Sequence, residues 1–168
     1  MRRIALALVV TALAFVPRAS DAAIINLIST LDGVQETPPV LTPATGTATL
    51  TFDTVSNLLS WTISYSGLVG TSTDAHFHGP AAIGVGPVGV QVAIPHLNGV
   101  TADTLIGSAT LTATQETQIL AHLWYINIHS TFKPGGEIRG QVVPEPATLA
   151  LYTVGLVGLA FAGRRRSR

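Results

Sequence analysis

The 168-residue chain contains no cysteine. That absence excludes disulfides, thiolate nucleophiles, sulfur-ligated metals and iron–sulfur clusters together. A metal held here would have to rest on histidine, carboxylate or backbone oxygen. Charge is also scarce, at 11 % of residues, and most of the basic charge lies at the two ends. Arg2, Arg3 and Arg18 precede the central region, and Arg164, Arg165, Arg166 and Arg168 follow it. Between residues 23 and 143 only Lys133 and Arg139 remain, against Asp32, Glu36, Asp53, Asp74, Asp103, Glu116 and Glu137. A module with net charge of minus five and no basic patch excludes nucleic acid as a partner. No serine sits in a strand–turn–helix elbow, and no glycine-rich phosphate loop precedes a helix. The carboxylates are too sparse to nominate an acid and a base for glycoside cleavage. Nothing here supports assigning an enzyme.

Long apolar runs occur only at the termini. Arg2-Arg3 followed by the 13-residue, largely apolar stretch Ile4–Val16, with small residues Ser20 and Ala22 before Ala23, reads as a signal peptide over residues 1–22. The paired arginines lack the rest of a twin-arginine pattern, so the general secretory route is expected, and any cofactor would be acquired after export. At the other end, Pro144-Glu145-Pro146 precedes the 17 uncharged residues Ala147–Gly163 and then the arginine cluster. At about 1.5 Å per residue that run just spans a bilayer core as a single helix, with the arginines on the cytoplasmic side. This tail resembles the PEP-CTERM sorting signal of Gram-negative bacteria. The resemblance implies that an exosortase-type sorting protease recognises the tripeptide. The protein would insert transiently into the inner membrane and end at the cell surface or in the extracellular matrix. A permanently anchored protein is the alternative.

The central 121 residues, 23–143, suffice for one hydrophobic core. Apolar and polar residues alternate through them, as in half-buried strands. Ile25, Leu27, Ser29 and Leu31 share one face, as do Ala48, Leu50 and Phe52, and then Leu59, Trp61, Ile63 and Tyr65. Residues 88–94, 106–112, 124–130 and 137–143 read as further strands, and 115–122 as a short helix capped by Thr114. Seven or eight short strands punctuated by Gly-Pro turns predict an all-β fold, an immunoglobulin-like or Greek-key β-sandwich.

Three segments carry more than pattern. They are residues 31–40 (LDGVQETPPV), residues 75–80 (AHFHGP) leading to Gly84, Gly86 and Pro87, and residues 124–129 (WYINIH) followed by 134–141 (PGGEIRGQ). In this order they resemble the CHRD domain over most of residues 31–142, which implies an immunoglobulin-like sandwich in an exported protein. With the sorting tail, the resemblance implies a non-catalytic surface or matrix component that contacts exopolysaccharide or matrix proteins.

The residues themselves pose a sharper question. Alternation puts Asp74, His76 and His78 on one face of their strand, and His129 on a face with Tyr125 and Asn127. A His-x-His pair plus a third histidine from a neighbouring strand suits copper or zinc. Asp74, Glu137 and Arg139 are candidates for the surrounding shell, with Glu137, Arg139 and Gln141 on the polar face of the last strand. The arrangement is similar to copper-zinc superoxide dismutase, where His76, His78 and His129 would match three copper ligands by order. The bridging histidine, the zinc ligands and the disulfide cysteines of that family are missing, so dismutase activity is not expected. The same histidines could instead hydrogen-bond the 79–89 loop and pin it to the sheet. His96 and His122 read as surface histidines, and Glu36 as part of the exit from the first strand.

Overall fold

The protein is described by a computed structural model covering residues 23–146. The signal peptide expected at 1–22, the helix expected at 147–163 and the arginine cluster lie outside the described residues. Within the described residues no helix is long and apolar enough to cross a membrane.

The threonine-rich alternation that begins at residue 45 builds β2 (Thr45–Asp53) between β1 (Ile24–Asp32) and β3 (Leu58–Ser66), all antiparallel. β-Branched threonines favour the pleated, water-facing side, and Ala48, Leu50 and Phe52 go inward. The chain continues through β4 (Ser72–His78), β5 (Val90–Ala93), β6 (Asp103–Thr110), α1 (Ala113–Leu120), β7 (Tyr125–Ser130), β8 (Ile138–Gln141) and β9 (Val143–Pro144). The nine strands form one antiparallel sheet in the order β5-β4-β7-β8-β1-β2-β3-β6, with β9 also on β1. The all-β expectation holds, and the sheet curls into a nearly closed barrel. Its inside is the core, where Trp61 meets Phe77 edge-on at 5.1 Å and Leu27, Leu59, Ile126, Ile128 and Ile138 are fully covered. The sheet closes onto β1 because Gly140 lets two backbones approach. A Cβ there would lie 2.4 Å from the Thr30 carbonyl oxygen.

Some boundaries differ from expectation for local reasons. The helix starts two residues earlier than predicted, because Thr112 rather than Thr114 caps it. The Thr112 hydroxyl accepts from the Gln115 amide at 3.3 Å, while the Gln115 side chain accepts from the Thr112 amide at 3.0 Å, a reciprocal capping box. The sixth strand lies three residues upstream of the predicted start, since its pairing with β3 runs from Asp103 opposite Tyr65 to Thr110 opposite Leu58. The fifth strand is only four residues long, and Gln115 on the helix donates to the Gln91 carbonyl at 3.2 Å beside it.

Candidate functional site

β4, β7 and β8 are neighbours, and their register lines up side chains on the outside of the barrel. Asp74 faces His129. His76 faces Asn127, which faces Arg139. His78 faces Tyr125, which faces Gln141. Ala75 and Phe77 on β4, and Ile126 and Ile128 on β7, go into the core instead. The alternation reading of these strands is correct in direction, but this outer face is not open to solvent. His78, Tyr125, Asn127, Arg139 and Gln141 are buried. The covers are the loop after β1 and the loop after β4. Val88 O accepts from His78, Val85 O from Arg139 and Ala81 O from Gln141, while the Gln35 side chain accepts from the Gln141 amide.

The three histidines meet under these loops. Their ring centroids are 5.2–5.9 Å apart, and one nitrogen from each lies within 4.8 Å of the others. Each ring also has a hydrogen-bond acceptor on its far side. His76 Nε2 is 3.1 Å from Asp74 Oδ1, His78 Nδ1 is 2.9 Å from Val88 O, and His129 Nδ1 is 2.9 Å from Pro134 O. An acceptor draws the ring proton to its own side, so the remaining nitrogens, His76 Nδ1, His78 Nε2 and His129 Nε2, present lone pairs. His76 Nδ1 and His129 Nε2 are 3.3 Å apart, and His78 Nε2 is buried with no hydrogen-bond partner. Burial in apolar surroundings holds His78 and His129 below the usual histidine pKa and outweighs the bonds to Val88 O and Pro134 O. This favours the neutral ring, the state that ligates metal.

Three lone pairs crowded together need a cation or a proton among them. Two tetrahedral ligands at 2.0–2.1 Å from zinc would have their nitrogens about 3.3 Å apart, which is the His76–His129 separation. The outer acceptors match the shell that orients metal-bound imidazoles in general.

The other residues proposed from sequence divide. Asp74 is in place beside His76 and also accepts from the Ala75 amide at 2.9 Å. Glu137 is not on this face. Gly136 takes φ +129°, which resets the alternation. The Glu137 carboxylate then lies on the other side, accepting from Thr42 Oγ1 at 2.6 Å, Val69 N at 2.7 Å, Gly70 N at 3.4 Å and Ser130 Oγ. Burial pushes its pKa up, but these four bonds outweigh burial and hold it below the usual range. Its role is to tie three segments together. Arg139 makes no ion pair with Glu137 or Asp74. It lies flat on Tyr125, 3.4 Å from the ring centroid, and Tyr125 stacks on His78 at 5.1 Å.

Sequence reasoning missed Glu36. It is 7 % exposed, and burial lifts its pKa to about 7 despite nearby Arg139. Only the fold reveals this, since it depends on contact between segments about a hundred residues apart. His96 is half-buried and bonded to Ile94 O and Asn98, and His122 is exposed; neither joins the cluster. Of the sorting tripeptide, Pro144 ends β9 opposite Leu27, and the Glu145 amide donates to Asn26 O at 3.1 Å.

A family model for the CHRD domain matches residues 27–142, and one for the PEP-CTERM protein-sorting motif matches residues 142–166. No curated protein and no solved structure matches the chain.

Proposed function

The chain belongs to the CHRD domain family, and from that premise we propose that it is a metal-binding module of the cell exterior. The PEP-CTERM motif makes it an exported protein of the envelope or surface, processed by the exosortase route. There it holds copper or zinc on His76, His78 and His129, loaded after export. The observation that carries this reading is the inward convergence of three imidazole lone pairs whose N–H groups are tied to Asp74, Val88 and Pro134. When bound, such an ion would be held by the three imidazoles and would supply a Lewis acid. Asp74 adds negative charge next to His76 and raises the affinity of that ring for a cation.

The test is the metal content of the full chain, purified without an affinity tag made of histidine. Copper or zinc near one equivalent, lost in His76→Ala and in His129→Ala, supports the reading. No uptake after incubation with either metal overturns it. The histidines would then serve to pin the 79–89 loop.

A second reading concerns the opposite side of the barrel. There Thr45, Thr47, Thr49 and Thr51 stand exposed beside a line of serines and threonines on β3 and β6. This neutral hydroxyl surface favours a non-catalytic role in the matrix, in contact with exopolysaccharide or matrix proteins. A pull-down with extracted exopolysaccharide, compared before and after metal removal, separates the two roles.

A further inference from the structure

A cavity of ≈ 380 Å³ opens between the loop after β1 and the loop after β4, on the flank of the histidine face. Its rim is apolar. Val34 and Ile83 are 77 % and 74 % exposed, and Pro39 lies beside them. Its floor is polar and buried, formed by Glu36, Arg139 and Gln141. An apolar mouth above a few convergent polar groups is the usual make-up of a small-molecule site, and the volume falls in the usual range of about 300–1,000 Å³.

The floor does not satisfy itself. The Arg139 guanidinium has five donors, yet it makes one good hydrogen bond, to Val85 O at 2.8 Å, and one long one, to Thr37 Oγ1 at 3.4 Å. Among the described residues no carboxylate lies within 4.0 Å of it, the single ion pair being Asp74–His76. Glu36 is near but supplies less than a full compensating charge at neutral pH, because burial favours its protonated form. Buried cations are ordinarily paired. In addition, Glu36 Oε1 and Gln141 Oε1 are buried acceptors without a donor. The cavity therefore lacks an anion for Arg139 and hydroxyl donors for the acceptors around it.

We propose that this cleft binds a small hydroxylated carboxylate, either a free hydroxy acid or the uronate end of an acidic saccharide. The carboxylate sits on Arg139, where a planar guanidinium suits it best. The hydroxyls turn to Glu36, Gln141 and Thr37, and the carbon skeleton lies against Val34, Pro39 and Ile83. The site adjoins the histidine face through Tyr125 but uses none of the histidines and does not require a metal.

The experiment is calorimetric titration of the chelator-treated full chain in mild detergent with glucuronate, lactate, glucose and propionate in turn. Saturable binding of glucuronate at millimolar concentration, with glucose and propionate silent, is the expected result. Lactate binding as well would assign the free hydroxy acid, and glucuronate alone would assign the saccharide end. Arg139→Gln should weaken binding by about tenfold or more, the loss expected for a hydrogen bond to a charged partner. Ile83→Asp sets a repelling carboxylate at an exposed rim position and should weaken it too, which keeps the test decisive if Arg139→Gln fails to fold. Silence of both glucuronate and lactate, equal binding of glucose or propionate, or binding unchanged in Ile83→Asp and in any folded Arg139→Gln would overturn the proposal. The chain is chelator-treated throughout, so the outcome is independent of the metal reading.

Discussion

On the β2–β3–β6 side of the barrel, the outward positions are mostly threonine and serine, with Leu58 and Ile106 among them, and they meet water. Thr49 faces Thr62, Thr51 faces Ser60, and Ser60 faces Ser108. On the β4–β7–β8 side, the outward positions are histidine, asparagine, tyrosine, arginine and glutamine, and two loops cover them. Both sides follow the same period of two on the same sheet. Alternation thus reports which side of a sheet a residue takes, and says nothing about whether that side is wet. A hydroxyl in water costs nothing to leave unpaired, whereas a buried polar group needs a partner. The covered face therefore has to be specific in its side chains, and His78 Nε2, Glu36 Oε1, Asn127 Oδ1 and Gln141 Oε1 are buried there without a hydrogen-bond partner.

The comparison breaks most sharply at the histidines. His129→Ala should lower copper or zinc affinity by more than about 100-fold. Asp74→Asn, which changes only the shell, should cost roughly 10- to 100-fold. Competition titration against a chelator of known affinity reads both. Equal, small effects in the two variants would mean that the metal, if any, sits elsewhere.

Glu137→Ala comes next, read by chemical denaturation. The carboxylate is fully covered, and removing it leaves the Val69 and Gly70 amides and the Ser130 and Thr42 hydroxyls without their acceptor. A loss of about 3 kcal/mol or more is expected. A loss below about 1 kcal/mol would show that water replaces the carboxylate there.

The same residues explain what could be read in advance. The inward faces of β1, β2 and β3 were legible because one side of each meets water and the other the core. The histidine triad was legible because a strand period of two aligns His76 with His78, and only the pairing of Asp74 with His129 had to come from the fold. The direction of Glu137 was not legible, since Gly136 adopts a left-handed backbone that resets the alternation. Nor was the burial of Glu36 and Arg139. Their segments lie far apart in the chain and come together only when β8 pairs with β1, placing Arg139 opposite Asp32.

Acid and base should affect the two glutamates in opposite ways. Glu36 has its pKa raised from 4.5 to about 7, so between those values the folded protein holds a proton that the unfolded chain has lost. Its contribution to stability then falls as pH rises across that window, while those of His78 and His129, held below the usual histidine range, rise with pH. Glu137 is held below 4.5, so its contribution is present above that value and lost as pH falls through its folded pKa. Relative to the parent, Glu36→Gln should raise the slope of stability against pH between pH 4.5 and about 7 and leave the acid limb unchanged. An unchanged slope in that variant would show that Glu36 does not carry this contribution.

The smallest effect is expected on the bare face, and it sharpens the comparison as much as the largest. Thr49 and Thr62 form a cross-strand pair, flanked in register by Ile28 and Ile106. Both threonines are exposed. Replacing either by valine keeps the β-branched shape that suits the strand and removes only a hydroxyl already satisfied by water. Thermal unfolding should place each single variant within about 0.5 kcal/mol of the parent. The double variant extends an apolar row from Ile28 to Ile106, which is 72 % exposed. It should therefore stay folded yet scatter more light at high concentration. A stability loss above about 1 kcal/mol in either single variant would mean that the hydroxyls are paired and the face is covered in the working protein. The two sides of the barrel would then both be binding surfaces, and the exopolysaccharide reading would gain its contact residues.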